Sequence, residues 1–163
     1  HRDLKPGNPS PTRLKPFIRR SPERPAMDAE RLAPTVGIVG ALLLALTIAI
    51  PAVTVEGGDG QVAAYYAAGP VGISFVGMLA LLETVVFLSG RQERTDPATA
   101  AGLAFVLSLS MLGVAALWSF SIDPTLLFSF DQQYSWLTYH RWSVVAAAFV
   151  TFVGGAWYAR GVL

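Results

Sequence analysis

The chain has 163 residues, of which 53% are hydrophobic and only 14% are charged, against about 25% charged residues in soluble domains. This composition indicates a membrane protein before any single segment is considered. The absence of cysteine excludes disulfides and thiol chemistry. The net charge of +1 conceals an uneven distribution, because residues 1–26 contain seven of the twelve basic residues.

Residues 1–26 are predicted to be a disordered basic tail, since they are rich in proline and arginine and have little to bury. Residues 1–8, HRDLKPGN, resemble the catalytic loop of protein kinases. No glycine-rich nucleotide loop or D-F-G follows, so we interpret this match as the remnant of an upstream or misjoined gene. The first methionine is Met27. We favour Met27 as the natural start over a genuine cytoplasmic tail.

Four apolar segments are long enough to cross a bilayer as helices, which takes about 20 residues each. We predict spans at about 33–55, 70–90, 98–122 and 142–159. The first exceeds the apolar core of a signal peptide, about 7–15 residues, so we favour a retained span over a cleaved leader. Asp96 is a predicted N-cap and Pro97 a predicted first helical residue. The predicted fold is an all-α polytopic membrane protein, with an up-down bundle of four transmembrane helices in residues 27–163.

Basic residues predict the orientation of these spans. The short charged turn at residues 91–97 must reverse the chain at one membrane face. That face, with the N-terminal tail and the C-terminus, holds eleven of the twelve basic residues, or four of five if translation starts at Met27. The opposite face holds Arg141 alone. The positive-inside rule therefore predicts that both termini are cytoplasmic.

The segments between the spans are expected at the membrane surface. Glycines predict a loop at residues 56–69, and Pro51 should bend or end the helix before it. Residues 123–141 are rich in aromatics and are expected to begin with a short helix through Phe128. Aromatic and basic residues at span ends are typical interface anchors. We assign this role to Tyr65, Tyr66, Trp136, Arg141, Trp142, Trp157 and Tyr158, with the paired tyrosine hydroxyls in water.

Glu83 is a candidate intramembrane functional residue, because an acid at mid-membrane costs about 2.5–3.5 kcal/mol and is often retained for a proton or cation site. In the structural interpretation the carboxyl is protonated, or hydrogen-bonded to Ser108 or Ser110 on the next helix. No arginine, lysine or histidine in any predicted span completes a relay. We favour the structural interpretation.

A stripe of small residues recurs at intervals of four along the fourth span: Ser143, Ala147, Thr151, Gly155 and Ala159. Such a stripe lets a neighbouring backbone approach closely. We favour contact within one four-helix bundle over contact between two copies, which the same stripe would also serve.

The sequence predicts no catalytic residue, cofactor or metal site. A weaker alternative is a cation held by Asp123, Asp131 and His140 of one loop, although these are few ligands for such a site. Without a lysine in a span, a retinal Schiff base is excluded. No basic face interleaved with aromatics indicates nucleic-acid binding.

Four short motifs carry a family resemblance: residues 27–35, 90–102, 139–142 and 156–160. Together they resemble a family of small uncharacterised four-span membrane proteins of haloarchaea. The resemblance covers residues 27–163 and leaves 1–26 outside, which supports Met27 as the start. It implies a location in the cell membrane and brings no known activity or catalytic residue.

These observations lead to two expected functions. The first is a non-enzymatic scaffold or small subunit of a membrane complex, whose partners are the lipid bilayer and either a second copy or another membrane protein. The second is a small ion- or proton-coupled transporter or channel that uses Glu83. An enzyme is least expected, because the catalytic residue types are missing from the spans.

Overall fold

The computed structural model describes residues 24–163, which form six α-helices and one 3-10 turn. The helices are α1 (Arg24–Thr54), α2 (Asp59–Ala67), α3 (Ile73–Arg91), α4 (Pro97–Ser121), α5 (Pro124–Phe128) and α6 (Leu137–Val162), with the 3-10 turn at Gln132–Tyr134. Most of the predicted tail, residues 1–23, lies outside the described residues. Its last three residues, 24–26, are helical. Pro25 suits this position because an N–H in the first turn has no helical partner.

The four long helices form an up-down bundle, as predicted. α1 and α4 each pack against both α3 and α6. The contacts run antiparallel: Gly37 lies beside Phe87 and Gly77 beside Ile48, while Gly154 faces Gly37 across α1 and α6. We call the end that carries the 91–97 turn the turn end, and the end that carries α2 and α5 the loop end.

The four long helices are apolar and long enough to cross a membrane, by length and composition. The candidate spans are Leu32–Thr54, Ile73–Arg91, Pro97–Ser121 and Gln132–Val162. Large apolar side chains remain exposed on the outer faces, with Leu46, Val85 and Val106 exposed to 64%, 61% and 57%. Such a continuous apolar exterior is unfavourable in water and suited to contact with lipid.

Two helix starts are capped by aspartates followed by proline. Asp96 accepts a hydrogen bond from the Thr99 N–H at 3.0 Å, and Pro97 is the first helical residue, which confirms the prediction. Asp123 begins the predicted short helix, α5, and accepts bonds from the N–H and hydroxyl of Thr125, both at 2.8 Å. These bonds lower the pKa of Asp123, because they favour the ionised carboxylate.

Two segments differ from the sequence-based expectation. Residues 59–67 form α2, so the prediction of a loop throughout residues 56–69 was wrong. The glycines act at the flanks, where Gly57 and Gly69 have positive φ angles of 71° and 76°, while the alanines between them favour helix. The fourth long helix begins at Leu137, before the predicted start at residue 142.

Candidate functional site in the bundle interior

Glu83 lies on the inward face of α3, and its side chain is completely buried. Within the described part of the chain, neither carboxyl oxygen has a hydrogen-bond partner. An isolated ionised carboxylate is very unfavourable in an apolar interior, whereas a neutral carboxyl is much less so. The site therefore fits the protonated form of Glu83.

Two buried hydroxyl residues lie on the helices that face Glu83. The antiparallel register places Ser108 of α4 and Thr151 of α6 near its level. The Ser108 hydroxyl donates to the Phe105 carbonyl at 3.0 Å, and the Thr151 hydroxyl donates to the Ala147 carbonyl at 3.0 Å. Their oxygens keep the capacity to accept. These oxygens are candidate acceptors for a protonated Glu83, which makes no hydrogen bond to them in this structure.

Ser110, the other serine considered as a partner for Glu83, is placed differently. It is exposed on α4, and its hydroxyl donates to the Val106 carbonyl at 2.8 Å. The helical period explains this, because residues two positions apart on a helix point about 200° away from each other. Ser108 faces the interior and Ser110 therefore faces out.

An apolar layer separates Glu83 from the loop end of the bundle. Each long helix contributes one completely buried residue to it: Leu44, Ala80, Met111 and Ala148. None of these side chains can donate or accept a conventional hydrogen bond. The layer therefore interrupts any chain of polar side chains between Glu83 and the polar groups at the loop end.

At the loop end, His140 occupies a gap that Pro51 leaves in α1. Proline has no N–H, so the Thr47 carbonyl, four residues earlier, has no helical donor. His140 Nε2 lies 2.7 Å from this carbonyl oxygen. Because a carbonyl only accepts, Nε2 must carry the proton. His140 thereby joins α6 to the broken ladder of α1.

Tyr65 of α2 completes this buried network. Its hydroxyl lies 2.9 Å from His140 Nδ1, which is the acceptor nitrogen of a neutral ring whose Nε2 is protonated. Burial raises the pKa of Tyr65, so the phenol keeps its proton and donates it. The Trp118 indole N–H donates to the Tyr65 carbonyl at 3.0 Å, and the two rings pack edge to face.

The Tyr66 hydroxyl bridges two further backbone groups of α1. Its hydroxyl donates to the Ile48 carbonyl and accepts from the Ala52 N–H at 3.1 Å. The two tyrosines were expected at the membrane surface with their hydroxyls in water. The structure instead places both hydroxyls against buried or backbone partners, because the disrupted end of α1 offers unpaired groups that water would otherwise satisfy.

The remaining predicted anchors differ in their exposure. Trp142 and Trp157 are 45% and 41% exposed on the outer surface of α6, and the Arg141 guanidinium lies 5.5 Å from the centroid of the Trp142 ring. Trp136 is half-buried and packs edge to face on His140. Tyr158 differs, since it is 3% exposed and packs against Phe87 in the interior.

The small-residue stripe of α6 runs from the surface into the core. Ser143 is exposed and Ala147 half-buried, whereas Thr151, Gly155 and Ala159 are buried. A Cβ added to Gly155 would lie 2.5 Å from the Ser108 hydroxyl oxygen and 3.1 Å from the Ala104 carbonyl oxygen. The turn-end half of the stripe is therefore used within the bundle, where it lets α4 approach α6.

A close backbone contact between helices lies beside this stripe and was not identified from the sequence. A Cβ on Gly154 would lie 2.6 Å from the Gly37 nitrogen, and one on Gly40 would lie 2.9 Å from the Thr151 nitrogen. The available signal was the pair of glycines three residues apart in the first span, Gly37 and Gly40, and the same spacing between Thr151 and Gly154 in the last span.

The proposed loop cation site does not assemble. Both ring nitrogens of His140 are already bonded, and the Asp123 carboxylate caps α5. No group of three or more histidine, aspartate or glutamate residues suited to a metal ion occurs among residues that the structure describes.

Replacing His140 should show that its hydrogen bond to the Thr47 carbonyl is needed because Pro51 has no N–H. His140→Ala leaves the Thr47 carbonyl and the Tyr65 hydroxyl without partners, and we expect a loss of about 2 kcal/mol of unfolding free energy. In a Pro51→Ala background the restored N–H can reach Thr47, so the same change should cost about 1 kcal/mol less. Denaturation in detergent, followed by circular dichroism, measures both. Equal losses of unfolding free energy in the wild-type and Pro51→Ala backgrounds would contradict this account. Thr138→Ala serves as the control, because Thr138 is exposed on the same helix.

Comparison with known proteins identifies the family of this chain. No curated protein and no solved structure matches it. The model of a family of unknown function, DUF7548, matches residues 27–163. This range contains all four candidate membrane spans. The chain therefore belongs to the DUF7548 family.

Proposed function

We propose that this chain is a multi-pass cell-membrane protein that acts as a non-enzymatic scaffold or small subunit of a membrane complex. The observation that supports this most is the buried apolar layer of Leu44, Ala80, Met111 and Ala148 beside Glu83. A transport route for protons or ions needs polar groups or water in sequence across the bilayer. A packed apolar layer is suited to holding helices in a fixed arrangement.

The distribution of arginines supports an orientation with both termini in the cytoplasm. Arg91 and Arg94 are exposed at the turn end, and Arg160 is exposed near the end of α6 at the same side. Arg141 lies toward the loop end. The excess of basic residues at one end follows the positive-inside rule, and the resemblance noted above implies a haloarchaeal cell membrane. Reporter fusions at the two ends of the chain should both respond on the cytoplasmic side.

A specific association is the expected property of a scaffold. The full chain, extracted from its native membrane in mild detergent, should migrate as a complex of fixed stoichiometry with itself or with another membrane protein. Mass determination by light scattering would measure this. A chain that remains a monomer in mild detergent and in bilayer nanodiscs would contradict the proposal.

A second candidate function, a proton- or cation-coupled transporter, is favoured by one observation: the two Glu83 carboxyl oxygens have no partner among the described residues. Flux measurements in liposomes separate the two functions. For a scaffold, liposomes that contain the protein should dissipate a pH or sodium gradient no faster than protein-free liposomes. Flux that the wild type supports and Glu83→Gln abolishes, with the variant still folded, would establish the transporter instead.

A further inference from the structure

α1 and α6 diverge from the turn end to the loop end. At the turn end, Gly154 lies against Gly37 with no room for a Cβ. At the loop end, the whole His140 side chain is needed to reach the Thr47 carbonyl. The divergence opens a groove of about 510 Å³ on the bundle exterior, between these two helices. Its volume lies within the range of about 300–1,000 Å³ that is usual for small-molecule sites.

Four of the polar residues that line the groove offer no free hydrogen-bond donor. The hydroxyls of Thr47 and Thr54 donate to carbonyls four residues earlier on α1, at 2.7 and 2.8 Å. Ser143 donates in the same way on α6, at 3.4 Å. His140, which also lines the groove, has both ring nitrogens bonded. Because these polar groups are already paired, the groove suits an apolar body.

The edge of the groove carries two donors without partners. Trp136 and Tyr139 both line it, and neither the indole N–H nor the phenol has a hydrogen bond to another described residue. Tyr139 is 76% exposed. Both residues lie in the aromatic segment at the loop end, where tryptophan and tyrosine are typical of the membrane interface. They would donate to oxygen atoms of a ligand at that depth.

Among the residues that the structure describes, no charged side chain lines the groove. Arg141 is close in sequence, but it is two residues from both Tyr139 and Ser143 and therefore projects about 200° away from each around α6. Its guanidinium lies over the Trp142 ring instead. The groove consequently provides donors for uncharged oxygens and no cation for a phosphate.

We propose that this groove binds one membrane lipid, with an apolar chain between α1 and α6 and the uncharged glyceryl oxygens at Trp136 and Tyr139. The segment from Thr47 to Thr54 extends about 10 Å along the helix, which accommodates the part of a chain nearest the glycerol. The groove opens on the exposed apolar surface, where Ile50 is 41% exposed, so lipid is the neighbour available to it. This binding site is independent of the scaffold function and of Glu83.

Native mass spectrometry of the full chain in mild detergent tests the site, with dioleoylglycerol and dioleoylphosphatidylglycerol as probes. The wild type should retain one molecule of either lipid with similar affinity. Ser143→Leu fills the groove and should weaken retention by roughly 10-fold or more. Ser110→Leu is the matched control, because Ser110 is also exposed, on α4, and its hydroxyl is also bonded to its own helix.

Two conservative variants test whether the Trp136 N–H and the Tyr139 hydroxyl donate to the lipid. Trp136→Phe and Tyr139→Phe keep an aromatic ring and remove one donor each, so each should weaken binding by about 2- to 10-fold without loss of helix content. Equal retention by Ser143→Leu and Ser110→Leu would overturn the proposal. So would binding of the phosphatidylglycerol alone, which would show recognition of phosphate. Loss of a dimer in Ser143→Leu, with lipid retained, would show that a second copy occupies the groove.

Discussion

Replacing Gly154 with valine should lower the unfolding free energy of the bundle by about 3 kcal/mol or more. Even a Cβ alone would lie 2.6 Å from the Gly37 nitrogen and 2.7 Å from the Gly37 Cα. These are backbone atoms, so no side chain can rotate out of the way. α1 and α6 would have to separate, and the contacts of Gly40 with Thr151 would separate with them. Because proteins are stabilised by only about 5–15 kcal/mol, much of the folded population should be lost.

Gly113→Val is the matched control for this prediction. Gly113 lies within α4, and a Cβ there would meet no atom within 4 Å. Valine is a slightly better helix former than glycine, so stability should stay within about 0.5 kcal/mol. Unfolding in detergent, followed by circular dichroism, compares the two variants. If Gly154→Val and Gly113→Val were equally stable, α1 and α6 would not approach each other as the structure describes.

Composition and hydropathy were sufficient to predict the four long helices and their up-down arrangement. Apolar length decides whether a helix can cross a bilayer, and the short charged turn at residues 91–97 fixes α3 and α4 as antiparallel neighbours. The caps at Asp96 and Asp123 were also predictable, because they depend on residues adjacent in sequence. Each of these features is local, and each is visible in a window of the sequence.

The interior of the loop end could not be predicted in the same way. Tyr65, His140 and Thr47 come from three helices and meet because Pro51 leaves a carbonyl unpaired. A histidine beside an arginine and a tryptophan has the sequence features of an interface anchor. Only the tertiary contact shows that His140 is 5% exposed and faces inward. The missed helix α2 differs, because its alanines favour helix locally and the glycines at its flanks led to the prediction of a loop.

The sequence predicted that Glu83 lies in an apolar environment but not which residues surround it. Its position in an apolar span indicated an unfavourable charge, but the sequence could not show which neighbours face it. Helical period alone distinguishes Ser108 from Ser110 once the inward face of α4 is known. The placement of Thr151 near the level of Glu83 required the register of α1 against both α3 and α6, which the contacts of Gly37 with Phe87 and Gly154 define.

Substitutions at Glu83 should change stability in opposite directions. Glu83→Met replaces a buried, unpartnered carboxyl with an apolar side chain of similar length, and we expect a gain of about 1–3 kcal/mol. Glu83→Lys should lose about 3–5 kcal/mol, because it leaves a buried charge without compensation. Glu83→Gln keeps the shape and polarity and should lie near the wild type. Denaturant titration of the purified variants in one detergent measures all three.

The sign of the Glu83→Met effect separates two arrangements of the carboxyl. Should this variant lose stability, the protonated carboxyl must donate to an acceptor on a neighbouring helix, and Thr151→Val or Ser108→Ala should then cancel part of the loss in a double-mutant cycle. A gain in stability would mean that the wild-type chain tolerates an unfavourable group in its core. Selection retains such a group where it serves a function. A stabilising Glu83→Met would therefore make the liposome flux measurement the decisive test between a scaffold and a transporter.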